Sequence, residues 1–339
     1  MSAAILAALA SIAGMEAYLR LTIPSSSGES IYRYTLETKR YKVMKPGAAV
    51  VAWGEEFRTN NLGFRDNAAT IPVKQPGEFR IIVLGSSFTV SAGVAFDEIY
   101  TSRLEEKLRR IRPNVQVINL AVGGYHPIQQ ALVLQEVGLA LAPDLVLVGA
   151  FPSGDFSLDI YEENRRIARS GVQPKPPVTA WYDDWYVYRA YGGRLVDKAA
   201  GLLRKAADRH DAGKARREWE RATAALKSMA AAADERGLPF VMAILPHNYG
   251  FSSQRDLFAR VERFCRDEGL LCVNMLEQFI RRRWLEAELR LNPLDSHPNG
   301  KYHAVVADVL AEVIGPMLPW GGRADRLIRT QILRPDFSQ

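Results

Sequence analysis

The sequence predicts an α/β protein with three layers, in which a five-stranded, mostly parallel sheet lies between helices. Short apolar runs alternate with longer amphipathic segments between residues 79 and 320, and this alternation is typical of a parallel sheet covered on both faces. With 47% hydrophobic and 24% charged residues among 339, the composition excludes a disordered chain and a polytopic membrane protein. Such a chain buries a large core without a disulfide framework, and it has only two cysteines.

Five segments are predicted as strands because each is short, apolar and bounded by turn or polar residues. They are Arg80–Leu84, Val115–Leu120, Asp144–Val148, Pro239–Leu245 and Leu270–Val273. Apolar residues at helical spacing predict helices between and after them: Phe96–Ile111, Ile128–Leu139, Glu218–Arg236, Ser253–Glu268 and Tyr302–Ile314. Ligands of such sheets bind beyond the carboxyl ends of the strands, so the chemistry is expected there.

The chain divides into an apolar segment (1–22), a lead-in (23–78), one α/β domain (79–320) and a tail (321–339). Inside the domain, residues 156–215 form an insertion that breaks the strand–helix alternation. The insertion carries an aromatic cluster that includes Trp181 and Trp185. These rings could stack on sugar rings, lie at a membrane interface, or pack a lid onto the domain.

The N-terminal segment is small or apolar from Ser2 to Met15 and continues past Glu16 to Leu21. It is just long enough to cross a bilayer, and a membrane anchor, a signal peptide and a buried helix are all compatible with it. The basic residues follow the segment, which by the positive-inside rule favours a cytoplasmic body. The net charge of +6 does not by itself indicate nucleic-acid binding, and none is predicted.

Three motifs at predicted strand or helix ends carry the candidate chemistry. Gly85-Ser86-Ser87 follows the first strand, Asn119 to Gly124 closes the second, and Asp295-Ser296-His297 precedes the last helix. At these motifs the sequence resembles the SGNH (GDSL-type) hydrolases, which have a serine after strand one, an oxyanion-hole glycine after strand two and an aspartate–histidine pair before the last helix. The resemblance covers roughly residues 79–318, and residues 58–65 resemble a lead-in of membrane-anchored members.

The resemblance implies a serine ester hydrolase. Ser87 would be the nucleophile, His297 its general base and Asp295 the carboxylate that orients the imidazole. The backbone N–H groups of Ser87 and Gly124 would bind the oxyanion. The expected substrate is a small acyl ester, such as an O-acetyl group on a carbohydrate, with water or a sugar hydroxyl as acceptor. Anchored proteins of this type usually act outside the cytoplasm, so a periplasmic or extracellular body is expected despite the charge pattern.

Two departures from the family pattern stand out. Ser86 occupies the place of the aspartate before the serine. After strand three the family has Asn-Asp, whereas this chain has Ser153-Gly154-Asp155, which puts Gly154 in the place of the oxyanion-hole asparagine. Losing such a donor costs about 10²–10³ in rate, unless Ser153 or the Gly154 N–H replaces it. The alternatives are therefore a slower or rearranged hydrolase, an O-acyltransferase, or a catalytically impaired binding or assembly subunit.

The remaining polar candidates have weaker signals. Ser153, Asp155, Trp181 and Trp185 are candidates for substrate binding. No metal ion or other cofactor is predicted, because no His, Cys, Asp or Glu set falls at ligand spacing. Cys265 and Cys272 are expected to be buried free thiols, with a disulfide as the alternative for an exported body. The histidines outside the motif are expected at the surface or at helix ends, and His247, which follows the fourth strand, could line the cleft.

Overall fold

The computed structural model describes residues 3–24, 30–70, 72–173, 186–187 and 212–319. Within these ranges the strands are β1 (Tyr32–Tyr34), β2 (Lys42–Met44), β3 (Ala49–Ala52), β4 (Glu55–Arg58), β5 (Phe79–Gly85), β6 (Val115–Asn119), β7 (Leu145–Ala150), β8 (Phe240–Ile244), β9 (Leu271–Asn274), β10 (Arg290–Asn292) and β11 (Asp295–Pro298). The α-helices are α1 (Ala3–Thr22), α2 (Ser87–Val90), α3 (Tyr100–Arg109), α4 (Pro127–Val133), α5 (Pro152–Asp155), α6 (Leu158–Ser170), α7 (Ala212–Asp234), α8 (Arg255–Asp267), α9 (Met275–Arg281) and α10 (Gly300–Ile314).

Strands β5 to β9 form one sheet, in the order β6-β5-β7-β8-β9, and every neighbouring pair is parallel. The chain crosses the sheet one way from β5 to β6 and the other way from β6 to β7. Right-handed crossovers therefore place α3 and α4 on opposite faces. Helix α3 packs against α10, and α4 packs against α7. The predicted three-layer α/β class is confirmed, and the sheet is parallel throughout.

The two central strands are buried on both faces, which explains why their sequences are continuous apolar runs. Residues 81–84 of β5 and 145–148 of β7 are all 0% exposed. The observed ends of the five strands differ from the predicted ends by at most two residues. The predicted helix Ile128–Leu139 is α4 followed by a π-helical turn, Leu134–Gly138.

The lead-in forms two antiparallel hairpins, β1–β2 and β3–β4. The second hairpin turns through Trp53 and Gly54, whose φ angles of 49° and 84° are both positive. A two-residue turn of this kind matches the right-handed twist of its strands. A positive φ is ordinary for glycine but uncommon for a bulky residue such as tryptophan.

Residues 60–65 of the lead-in form a turn that reaches the α/β domain. The Asn60 side chain accepts the backbone N–H groups of Leu62 and Phe64, each at 3.0 Å. This turn directs Arg65, which is 2% exposed, toward the C-terminal end of α2. There the guanidinium donates to the carbonyls of residues 90, 91 and 94. The lead-in thus fixes the end of the short helix that begins at Ser87.

Helix α1 has the length and composition to cross a membrane over Ala4–Thr22, a test that an N-terminal signal sequence also passes. Its last turn contacts the rest of the protein. Leu19 and Ile23 are buried and pack with Trp53 and Leu294. Glu16 accepts backbone N–H groups of residues 186 and 187, at 3.1 and 2.8 Å. The C-terminal end of α1 is therefore held against the body of the protein.

Cys265 and Cys272 form a disulfide, so the expectation of two free thiols is wrong. Helix α8 ends at Asp267 and β9 begins at Leu271. The tight turn between them passes through Gly269 at a φ of 66° and brings the two cysteine Cα atoms to 6.2 Å, within disulfide range. Sequence spacing did not reveal the bond because it depends on the direction of this turn.

We expect reduction of the disulfide to lower the free energy of unfolding by about 2 kcal/mol, because the bond closes only a short loop in the unfolded chain. Urea unfolding of the full chain, with and without reductant, measures the difference. The Cys265→Ala/Cys272→Ala double variant is the control, since its midpoint should not respond to reductant. A wild-type midpoint that is equally insensitive would contradict the prediction.

Candidate active site

The hairpin β10–β11 carries Asp295 and His297 on one strand. His297 Nδ1 lies 2.6 Å from Asp295 Oδ1, and the His297 backbone N–H donates to the same oxygen at 2.9 Å. The Asn292 side chain accepts the Asp295 N–H at 2.9 Å and so orders the turn. A carboxylate on Nδ1 keeps the proton there and leaves Nε2 as the basic nitrogen. The imidazole is 40% exposed, so Nε2 is accessible to a reacting group.

Ser87 is the first residue of α2, directly after β5, and it is half-buried. The last residue of β5 needs to be glycine, because a Cβ on Gly85 would lie 2.3 Å from Thr89 Oγ1. The next residue, Phe88, packs its ring 5.6 Å from that of His297, measured between centroids. Through Phe88, the start of α2 and the His297–Asp295 pair meet at the same edge of the sheet.

Trp53 supports the Asp295 carboxylate from the lead-in. Its indole N–H donates to Asp295 Oδ2 at 2.7 Å, so both carboxylate oxygens are engaged. Burial alone would raise the pKa of Asp295, but the hydrogen bonds from His297 and Trp53 and the charge of His297 outweigh it and lower this pKa. Asp295 is therefore held as an anion beside the imidazole. No sequence motif predicts this role of Trp53, because its partner Asp295 lies 242 residues away in the chain.

Gly124 lies in the turn after β6 with a φ of 73°. A Cβ at this position would come within 3.3 Å of both Lys42 Nζ and Ile160 Cγ2. The turn therefore requires glycine both for its backbone conformation and for its close neighbours. Asn164 Nδ2 donates to the Gly124 carbonyl at 3.2 Å, which fixes the peptide plane that follows Gly124.

Lys42 is a second residue that the sequence analysis missed. It is 8% exposed, and its ammonium donates to the Gly123 carbonyl at 2.7 Å. The ammonium also lies 3.9 Å from the centroid of the Tyr32 ring, a cation–π distance. Burial lowers the pKa of Lys42 to about 8. This cation holds the turn that carries Gly124, and no local sequence pattern distinguishes it from other lysines of the lead-in.

Gly154 has no room for a side chain. A Cβ there would lie 2.3 Å from Cε1 of Phe151, whose ring stacks on Phe88 with centroids 3.9 Å apart. The Gly154 N–H donates to the Phe151 carbonyl at 3.1 Å. The space that a side chain at position 154 would need is thus filled by an aromatic ring, and the backbone donor of Gly154 already has an acceptor inside the protein.

The neighbours of Gly154 differ in accessibility. Asp155 is 7% exposed, and it accepts the Phe151 N–H at 3.2 Å and Gln130 Nε2 at 3.4 Å. Burial raises the pKa of Asp155 to about 7, opposed by these donors and by the nearby Ser86 hydroxyl, although that hydroxyl forms no hydrogen bond of good geometry among the described residues. Asp155 is therefore engaged within the protein, whereas Ser153 is exposed and donates to Gln254 Oε1 at 3.3 Å.

Several of the predicted positions lie elsewhere. Trp181 and Trp185 fall outside the described residues. His126 caps the N-terminus of α4, as expected for a helix-end histidine, but it is 1% exposed. His303 lies in the first turn of α10, at a helix end as expected, but it is fully buried because its ring packs on Tyr100. His247 is half-buried beside Phe88 and Phe151.

No family model and no curated protein matches the sequence. Solved structures that resemble the fold include a proposed acylhydrolase from Bacteroides fragilis, with 15% identity and a TM-score of 0.42 over 72% of this chain and 90% of that one. Axe2, an acetylxylan esterase from Geobacillus stearothermophilus, has 12% identity and a TM-score of 0.43 over 71% and 95% of the two chains. TesA has 15% identity and a TM-score of 0.43 over 70% and 99%. These values assign neither a family nor an activity to this chain.

We expect Trp53→Phe to lower the free energy of unfolding by about 2 kcal/mol at pH 7, because it removes a hydrogen bond to a charged group and keeps an aromatic ring. Asp295 has a lowered pKa in the folded protein, so the stability it contributes is present above the unfolded pKa of about 4. That stability is lost as the pH falls through the folded pKa. The difference between wild type and Trp53→Phe should therefore shrink below about pH 4.

Urea unfolding of the full chain in detergent between pH 3 and pH 8 measures this difference. Trp284→Phe is the matched control, since Trp284 lies under Lys301, and its effect should not vary with pH in the same way. A Trp53→Phe difference that stays constant across the range would show that the indole does not stabilise the carboxylate.

Proposed function

We propose that the protein is a serine ester hydrolase that acts through an acyl-enzyme. The observation that carries the proposal is the 2.6 Å contact between His297 Nδ1 and Asp295 Oδ1, on a hairpin that meets the start of α2. Ser87 attacks the ester carbonyl while its proton passes to His297 Nε2. The C–O bond to the alcohol then breaks, and His297 returns the proton to the leaving oxygen. Water repeats the sequence and releases the acid.

The backbone supports a negative charge next to Ser87. The Ser87 and Gly124 N–H groups are the proposed oxyanion donors, because the first belongs to the nucleophile itself and the second lies in the tight turn after β6, the strand next to β5. The buried Lys42 ammonium and Asn164 hold the Gly124 turn by its carbonyls. Rigid placement of such donors is what makes them effective, since they need no reorganisation during the reaction.

A catalytically impaired binding or assembly subunit is the second candidate. The observation that favours it is the Phe151 ring in the space that a side chain at position 154 would need. An O-acyltransferase would use the same acyl-enzyme with a sugar hydroxyl in place of water. All three candidate functions use the site formed by Ser87, His297 and Asp295. In the hydrolase and the acyltransferase Ser87 becomes acylated, and the acyl group is removed by water or by a sugar hydroxyl, whereas in the binding subunit Ser87 is not acylated.

We further propose that α1 anchors the protein and that the body lies outside the cytoplasm. The side chains of α1 are mostly exposed, including Leu6 and Leu9 at 53% each, which suits a lipid environment. The Cys265–Cys272 disulfide favours an oxidising compartment.

We propose the same domain boundaries as those predicted from the sequence, with the α/β domain over residues 79–320 and an insertion over 156–215. Within the proposed insertion the structure has α6 over Leu158–Ser170. The proposed substrate is a small acyl ester, with an O-acetylated carbohydrate as the favoured class.

Adjacent serines provide a sharp test of the enzyme proposal. We expect Ser87→Ala to lower turnover of p-nitrophenyl acetate by at least about 10⁴-fold, because the nucleophile is lost. Ser86→Ala should leave turnover unchanged, since its buried hydroxyl has no partner of good geometry among the described residues. A fluorophosphonate probe should label wild type and Ser86→Ala but not Ser87→Ala. If wild type and both variants hydrolyse p-nitrophenyl acetate equally slowly and none is labelled by the probe, the result would favour the binding-subunit candidate instead.

A further inference from the structure

The missing asparagine leaves the proposed site with two backbone donors and no side-chain donor from the β7–α5 turn. The structure also excludes position 154 as the source of a replacement donor, by either its side chain or its backbone. A side chain at Gly154 would collide with Phe151, and the Gly154 N–H already donates to the Phe151 carbonyl. The Ser153 hydroxyl, the other candidate replacement, already donates to Gln254 Oε1 at 3.3 Å, so a third donor has to come from another element.

We propose that His247 supplies this donor and contacts the oxyanion through Nε2–H. This proposal deepens the ester-hydrolase proposal and rests on it. The imidazole of His247 packs 5.7 Å from the Phe88 ring and 5.6 Å from the Phe151 ring, measured between centroids. His297 packs on Phe88 at 5.6 Å. Both imidazoles thus lie against the residue that follows Ser87, one as the proposed base and one beside the ring that fills the asparagine position.

A shared glutamine holds His247 next to the β7–α5 turn. Gln254 Oε1 accepts the His247 backbone N–H at 2.8 Å, and Gln254 Nε2 donates to the His247 carbonyl at 2.8 Å. The same Oε1 lies 3.3 Å from Ser153 Oγ. Gln254 is 7% exposed, and these hydrogen bonds are partly buried. The loop after β8 is therefore connected through Gln254 to Ser153, in the turn where Gly154 takes the place of the asparagine.

The environment of the ring selects its protonation state. His247 Nδ1 is buried and has no hydrogen-bond partner among the described residues. The proposal assigns the proton of the neutral ring to Nε2, since a proton on Nδ1 would be buried without an acceptor among the described residues. Burial, followed by the positive charges of His297 and Arg290, lowers the pKa of His247 to about 4. At neutral pH the ring is thus an uncharged N–H donor, as a neutral imidazole can be for a developing oxyanion.

Two substitutions distinguish a hydrogen-bond donor at His247 from a side chain that only packs. His247→Phe keeps an aromatic ring but removes the N–H, and we expect kcat for p-nitrophenyl acetate to fall about 10²–10³-fold with little change in KM, because the interaction forms only in the transition state. His247→Gln places an amide donor near the position of Nε2 and should recover kcat to within about tenfold of wild type, since an amide N–H can replace the imidazole donor. Tyr249→Phe is the matched control, since it removes a hydroxyl from the ring that packs 3.6 Å from His247.

If His247→Phe does not fold, His247→Ala is assayed with and without added imidazole, and the rate that imidazole gives with Ser87→Ala is subtracted, because imidazole itself hydrolyses p-nitrophenyl acetate. Above that background, free imidazole should restore part of the lost kcat. Wild-type kcat in His247→Phe, or equal losses in the Phe and Gln variants without imidazole rescue of His247→Ala, would overturn the role of His247. In either case the activity would still be lost in Ser87→Ala. Wild-type turnover that does not depend on Ser87 would instead overturn the ester-hydrolase proposal, and the role of His247 with it.

Discussion

The hydrogen bond between Asp295 and His297 is the interaction on which the rest of the site depends. A carboxylate in this position is costly to bury unless its oxygens are satisfied. Here Oδ1 accepts from His297 and Oδ2 accepts from the Trp53 indole. The two donors keep the carboxylate ionised and fix the direction of the imidazole. Without that arrangement, the proposed base would have neither the tautomer nor the orientation for its task.

The lead-in supports three different parts of the site, although it contributes none of the proposed reacting groups. Trp53 contacts the Asp295 carboxylate, Lys42 contacts the turn that carries Gly124, and Arg65 contacts the end of the helix that begins at Ser87. Each contact comes from a buried or half-buried side chain that reaches the domain. These supporting contacts matter because a catalytic group keeps its position only when the residues around it are themselves fixed. The lead-in is therefore part of the site's scaffold rather than a spacer.

The sequence was sufficient for the sheet because a strand buried on both faces must be a continuous apolar run, and the β5 and β7 segments are. It also placed Ser87 and the Asp295–His297 pair at element ends, where a parallel sheet brings distant segments together. It could not reveal Trp53 or Lys42, because their partners lie 242 and 81 residues away. The disulfide depended on the direction of one turn, and the lack of space at Gly154 depended on where the Phe151 ring packs. Such features follow from packing in three dimensions, which local patterns do not encode.

The last turn of α1 lies against the hairpin that carries the proposed catalytic pair. Leu19 and Ile23 pack with Trp53 and Leu294, and Leu294 directly precedes Asp295. If α1 spans a bilayer as proposed, its last turn leaves the membrane beside the hairpin that carries His297. The cleft then lies close to the lipid surface rather than at the end of a flexible tether. An ester presented near that surface meets the site without a large displacement of the domain, whereas an ester far from the membrane must diffuse to it. Contact between α1 and Trp53 thus links the proposed anchor to the geometry of the proposed catalytic pair.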